Sequence, residues 1–249
     1  MNEMINKGVK KLKTAIYIII PIIILLGVFY WLGDVYSPTE EAPTYLKSTD
    51  FVAVVENNDW IEFIPEQGSG NTGIVFYPGG KVKAESYALL AYELSKKGYI
   101  VSVIKMPLHL AVLAPNKANK YISSKKEIEK WVIMGHSLGG AMAATYAENN
   151  SNKLEALILL AAYPANSVDL SNNELEVLSI YASEDKIADK DRILESKERL
   201  PESTKFIEIK GGNHSYFGSY GLQRGDGEAT ITEEEQRRMV IEYIVDFLN

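Results

Sequence analysis

Three side chains far apart in the sequence have the types that acyl transfer through a serine requires. Ser137 sits in Gly135-His136-Ser137-Leu138-Gly139-Gly140, between the apolar run Trp131-Val132-Ile133-Met134 and the helix-forming run Ala141-Met142-Ala143-Ala144-Thr145-Tyr146-Ala147. A glycine-flanked serine between a strand and a helix reads as a sharp turn that presents its hydroxyl from a strained backbone conformation. A β-carbon at 135 or 139 would clash where the strand end meets the helix start. The helix start then offers free backbone N–H groups to a developing oxyanion. The plainer alternative is a glycine-rich turn that only packs.

A serine nucleophile needs a base, and the base needs a partner that fixes its tautomer. The chain has three histidines, His109, His136 and His214, so the base is one of them. His214 lies in Gly211-Gly212-Asn213-His214-Ser215, directly after a strand-like run, and is the first choice. His136 precedes the serine, where a ring packs or bonds locally, and His109 reads as a surface loop residue. Asp185, in Ser183-Glu184-Asp185-Lys186, follows another strand-like run and is the expected acid, with Glu184 as its rival. Asp189 and Asp191 suit a helix start, Asp226 a glycine-bracketed turn, and Glu233-Glu234-Glu235 a solvated first helical turn. With no cysteine and three histidines, neither a thiolate nucleophile nor a metal site is expected. No cofactor is expected either.

These residues need a scaffold that brings strand ends together. Val52-Ala53-Val54-Val55 and Trp60-Ile61-Glu62-Phe63-Ile64 read as an antiparallel pair around Asn57-Asn58-Asp59. Strand-like runs then fall at 73–77, 99–104, 131–134, 154–160, 176–181 and 205–209. Helical patterns are expected over 84–97, 123–130, 141–149, 190–199 and 233–248. Continuous apolar strands interleaved with helices predict a mostly parallel sheet covered on both faces. Ligands bind such sheets beyond the carboxyl ends of the strands, where Ser137, Asp185 and His214 all fall.

At the N-terminus, residues 15–32 carry no charge, follow Lys7, Lys10, Lys11 and Lys13, and precede Asp34, Glu40 and Glu41. At about 1.5 Å per residue the run spans roughly 27 Å, close to a hydrocarbon core of about 30 Å. The expectation is a cytoplasmic stretch 1–14, a transmembrane anchor 15–32, a linker 33–50 and a domain 51–249 on the outer face of the membrane. The rival is a cleaved signal segment and a secreted domain. A net charge of −7, with no basic stripe beyond the first fourteen residues, argues against a nucleic-acid partner.

The order Ser137, Asp185, His214, each at a strand end, resembles the α/β-hydrolase superfamily. Phe76-Tyr77-Pro78-Gly79-Gly80-Lys81, Gly135-His136-Ser137-Leu138-Gly139-Gly140 and the Gly-rich loop from Gly211 to Gly227 resemble a bacterial branch of small α/β hydrolases in particular. The resemblance implies an α/β-hydrolase fold without a large lid domain, since 161–174 is too short for one. It also implies an oxyanion hole from the backbone N–H groups of Leu138 and Gly80, with Lys81 as rival for the second; Pro78 stands where many esterases have histidine. Leu108, Tyr163, Tyr216 and Phe217 are expected to line an open or shallow substrate site. The implied activity is a serine hydrolase cleaving an ester or similar acyl bond in a small-molecule or envelope-associated substrate. An acyltransferase of the cell envelope and a non-catalytic binding domain on the same fold are the alternatives.

Overall fold

Continuous apolar runs become strands here because residues on both faces of the sheet are buried. The computed structural model describes residues 16–23, 27, 33–67 and 71–249. The strands are β1 (Val52–Glu56), β2 (Trp60–Pro65), β3 (Thr72–Tyr77), β4 (Ile100–Ile104), β5 (Lys130–His136), β6 (Ala156–Leu160), β7 (Glu176–Ala182) and β8 (Lys205–Ile209). They form one sheet in the order β1-β2-β4-β3-β5-β6-β7-β8. The pairs β1–β2 and β2–β4 are antiparallel, and every pair from β4 to β8 is parallel. The opening hairpin turns where expected, with Asn57 Oδ1 accepting from the amides of Asp59 (2.8 Å) and Trp60 (3.0 Å).

The helices are α1 (Ala88–Lys96), α2 (Ala118–Ser124), α3 (Leu138–Asn150), α4 (Lys190–Glu195) and α5 (Glu233–Leu248). Side-chain alternation divides the core between the two faces. Ile74, Phe76, Val132 and Met134 pack with α1, α4 and α5, while Val75, Tyr77, Trp131 and Ile133 pack with α2 and α3. The helix expected over 123–130 instead spans Ala118–Ser124. Its anchor is Tyr121, fully buried and donating to Glu62 Oε1 at 2.7 Å, with its ring against Trp60 and Trp131. The charged stretch after it offers a single buried apolar side chain, Ile128, so packing overrides its helical composition.

The chain divides into two units, Met1–Val35 and Tyr36–Asn249. In the second, Tyr36 bridges Val82 and the Tyr45 ring lies 5.1 Å from that of Tyr92, so ordered packing begins well before residue 51. The transmembrane anchor expected over 15–32 is not borne out. No helix among the described residues is long and apolar enough to cross a membrane. Residues 1–15, 24–26 and 28–32 lie outside the described residues, and so does the whole of the expected stretch 1–14.

Strand order fixes where a site can form. From β3 the chain winds one way to β4, then returns to lay β5 on the other side of β3. The loops leaving β3 and β5 therefore diverge, and a crevice opens between them at the carboxyl ends of the strands. Pro78-Gly79-Gly80 leaves β3 and Ser137 leaves β5.

Candidate active site

Ser137 occupies φ 53°, ψ −124° between β5 and α3, a conformation that costs a non-glycine residue on the order of 1–3 kcal/mol. Its amide donates to the Leu160 carbonyl at 2.9 Å, which ties the turn to β6. Close approach makes the flanking glycines obligatory. A β-carbon on Gly139 would stand 2.1 Å from the Tyr77 carbonyl oxygen, and one on Gly135 would stand 2.5 Å from the Gly139 carbonyl carbon. The clash expected at both positions is present.

His214 and Asp185 meet. His214 Nδ1 lies 2.8 Å from Asp185 Oδ2, and both side chains are almost fully buried. The other carboxylate oxygen, Oδ1, accepts from the amides of Ile187 and Ala188, each at 2.8 Å. A carboxylate so employed is an acceptor only, so Nδ1 carries the imidazole proton and Nε2 keeps its lone pair. Nε2 is buried and has no hydrogen-bond partner; the bond to Ser137 Oγ is not formed in this conformation. Such bonds commonly tighten only when substrate is bound. The ring lies against that of His136, the residue preceding Ser137, with centroids 4.5 Å apart. Glu184 is turned away, accepting from the Ser183 hydroxyl at 2.8 Å.

Three residues hold the His214 loop, none of them evident from local sequence. Gln236, buried on α5, accepts from the Asn213 amide at 3.0 Å and donates to the Asn213 carbonyl at 2.9 Å. Asn213 in turn donates to the Gly227 carbonyl at 3.0 Å. Asp226 Oδ2 accepts from the Ser215 amide at 2.8 Å and from its hydroxyl at 2.6 Å, while Oδ1 accepts from the Gly227 amide at 2.7 Å. Asp226 is thus the clasp of the loop. The one sequence sign of the Gln236 role is a polar side chain on the stripe shared with Val240 and Ile244, both buried.

The amides of the loop after β3 differ in whether they are already used. Gly79 donates to the Tyr87 hydroxyl at 2.9 Å, and Lys81 donates to the His109 carbonyl at 2.8 Å. The Gly80 amide between them makes no hydrogen bond among the described residues, nor does that of Leu138 at the start of α3. The two lie close: a β-carbon on Gly80 would stand 3.0 Å from Leu138 Cδ2. Tyr87 also lies 2.8 Å from His136 Nδ1, so one buried hydroxyl links the glycine loop after β3 to the residue before Ser137. Burial, and secondarily the His214 imidazole, holds the His136 pKa well below the ordinary histidine range. His136 is accordingly neutral and braces the turn.

Ser137 opens onto a cavity of about 260 Å³, walled by Leu138 and Ala141 of α3, by residues 161–163 after β6, and by Ile187 and Ala188 after Asp185. Of the expected substrate residues, Tyr163 borders it. Tyr216 and Phe217 line a separate crevice beside α1 and α5, Phe217 stacking on the His136 ring. Leu108 is exposed on the loop after β4. Among the described residues there is no cluster of three or more side chains suited to a metal ion.

This sheet order, with a glycine-hemmed serine after β5 and an Asp–His pair after β7 and β8, defines an α/β hydrolase. The sequence pattern of the alpha/beta hydrolase family matches residues 73–238; the chain belongs to that family and is a hydrolase. Solved structures share the fold. One is a predicted CIB-like hydrolase from Thermoplasma acidophilum, 16% identical, with a TM-score of 0.60 over 78% of this chain and 99% of that one. Another is a monoacylglycerol lipase from Paleococcus ferrophilus, 16% identical, with a TM-score of 0.56 over the same shares. No curated protein sequence matches the chain significantly.

Proposed function

We propose that the protein is a serine hydrolase that cleaves an ester or similar acyl bond through a covalent acyl-enzyme. Ser137 Oγ attacks the carbonyl carbon and gives its proton to His214 Nε2. The carbonyl oxygen, now negative, is held by the Leu138 and Gly80 amides; each such donor contributes about 3–4 kcal/mol of transition-state stabilisation. Collapse of the tetrahedral species expels the alcohol or amine, which takes the proton from Nε2. Water then attacks the acyl-enzyme by the same route in reverse, freeing the acid and restoring Ser137. Asp185 keeps the proton on Nδ1 and stabilises the imidazolium.

The observation that carries this reading is the buried Asp185–His214 pair, whose outer nitrogen is left without a partner beside the strained serine turn. A buried polar atom left unsatisfied costs about 1–3 kcal/mol, and such atoms persist where chemistry uses them. Replacing Ser137 by Ala tests it. Hydrolysis of an activated short-chain ester should fall at least about a thousandfold, with an unchanged circular dichroism spectrum. Turnover within tenfold of the wild type rejects Ser137 as nucleophile.

A further inference from the structure

The cavity at Ser137 is distinguished by what its wall lacks. No ionisable carboxylate, amine, guanidinium or imidazole lines it; the polar side-chain groups are the hydroxyls of Ser137 and Tyr163, and the rest is alanine, leucine and isoleucine. Behind Ala162 the α3 backbone packs closely, since a β-carbon on Gly140 would stand 2.4 Å from Ala162 Cβ. Space remains only because small residues follow the strand ends: Ala161 and Ala162 after β6, Ala188 after β7, and Ala141 one helical turn beyond Ser137.

We infer that this cavity is the acyl pocket and that the substrates are esters of short, uncharged carboxylic acids, with Ala141 and Ala188 setting the limit on chain length. The inference rests on Ser137 being the nucleophile, since an acyl group bonded to its oxygen has this apolar space beside it. A dry apolar cavity of about 150 Å³ accommodates benzene, or about 25 Å³ per carbon. A volume of about 260 Å³ thus corresponds to about ten carbons at most, and fewer for an extended chain that cannot fill its width. Each methylene taken from water into the pocket is worth roughly a fourfold gain in kcat/KM, until the pocket is full. A second carboxylate on the acyl part would leave water for an apolar wall, with the one guanidinium at its edge, Arg192, already bonded to the Tyr163 hydroxyl, which disfavours it at least about a hundredfold.

The test is a series of p-nitrophenyl esters from acetyl to palmitoyl, with the succinyl half-ester beside butyryl. The kcat/KM should climb to an optimum between butyryl and octanoyl, then fall, with succinyl at least about a hundredfold below butyryl. Ala188→Leu and Ala141→Leu should each lower the octanoyl-to-acetyl ratio of kcat/KM at least tenfold; the ratio is read because the variants sit in the pocket. A palmitoyl optimum, succinyl equal to butyryl, or an unchanged ratio in both variants overturns the inference. A fluorophosphonate label on the same preparation separates the two levels. Labelled Ser137 with no such profile sinks the acyl-pocket assignment alone, and an unlabelled chain sinks it together with the serine-hydrolase reading.

Discussion

Asp185→Asn exchanges one heavy atom, an oxygen for an NH2 nitrogen, and asks whether Asp185 sets the tautomer of His214. In the wild type, Oδ1 accepts two amides, Ile187 and Ala188, each at 2.8 Å, and Oδ2 faces His214 Nδ1 at 2.8 Å. An asparagine has one oxygen for these three donors. Turning its NH2 toward the backbone would leave two buried amides unsatisfied, at about 1–3 kcal/mol each. The oxygen therefore stays with the amides and the NH2 faces the imidazole. Nδ1 must then accept, the proton moves to Nε2, and the base has no lone pair for Ser137. The corresponding exchange in a Ser-His-Asp protease lowers kcat about 10⁴-fold, equivalent to about 5.5 kcal/mol. We expect a similar loss in kcat on an activated short ester, with KM nearly unchanged. The melting temperature should move by only a few degrees, because the amide bonds survive. Imidazole ¹⁵N shifts should show the proton on Nε2 in the variant. The neighbouring Glu184→Gln, whose carboxylate bonds Ser183, should keep kcat within about twofold. An Asp185→Asn enzyme within tenfold of wild type, or one with Nδ1 still protonated, refutes the reasoning.

Two further outcomes follow from the buried groups around the turn. Tyr87→Phe removes the hydroxyl that the Gly79 amide and His136 Nδ1 share; stability should drop by about 1–3 kcal/mol. Because the loop bearing Gly80 loosens with it, kcat should fall about tenfold or more while KM stays nearly constant, and an unchanged kcat would show that the link does not position the oxyanion donor. The second outcome concerns acid. The His136 pKa is depressed by burial and by His214, and that of the half-exposed His109 is depressed mainly by burial, so both bind a proton more readily when unfolded. Their contribution is intact above about pH 6.5 and declines as pH falls below it, at up to about 1.4 kcal/mol per unit for the buried His136, while solvent screening leaves His109 a minor share. Urea unfolding at pH 7.5 and 5.5 should show that loss, and His136→Gln should flatten the slope; equal stability at both pH values contradicts a neutral buried His136.

The sequence was most informative where the chemistry is local. Gly135 and Gly139 announce the serine turn because each is forced by a backbone contact a few residues away. Asp185 and His214 could be placed because each directly follows a strand run. The grips that hold them could not, since Gln236 on Asn213, Asp226 on Ser215 and Tyr87 on Gly79 join distant segments and leave little local pattern. The different use of the Gly80 and Lys81 amides is likewise invisible in the sequence, because it turns on the His109 carbonyl taking the Lys81 amide. Helix α2 was misplaced for a related reason: the burial of Tyr121 against Glu62 outweighs the helical composition of 123–130. At the N-terminus, hydropathy and the flanking charges point to a membrane span, and no helix among the described residues provides one.

The central claim is that Ser137 carries the acyl group. Rapid acid quench of the protein with a slowly deacylating activated ester, followed by intact-mass and peptide analysis, reads this directly. The account predicts one equivalent of acyl adduct on the peptide containing Ser137, and none in the His214→Ala variant over the same interval. Turnover of the ester with no adduct on that peptide, or with the adduct on another residue, would contradict it.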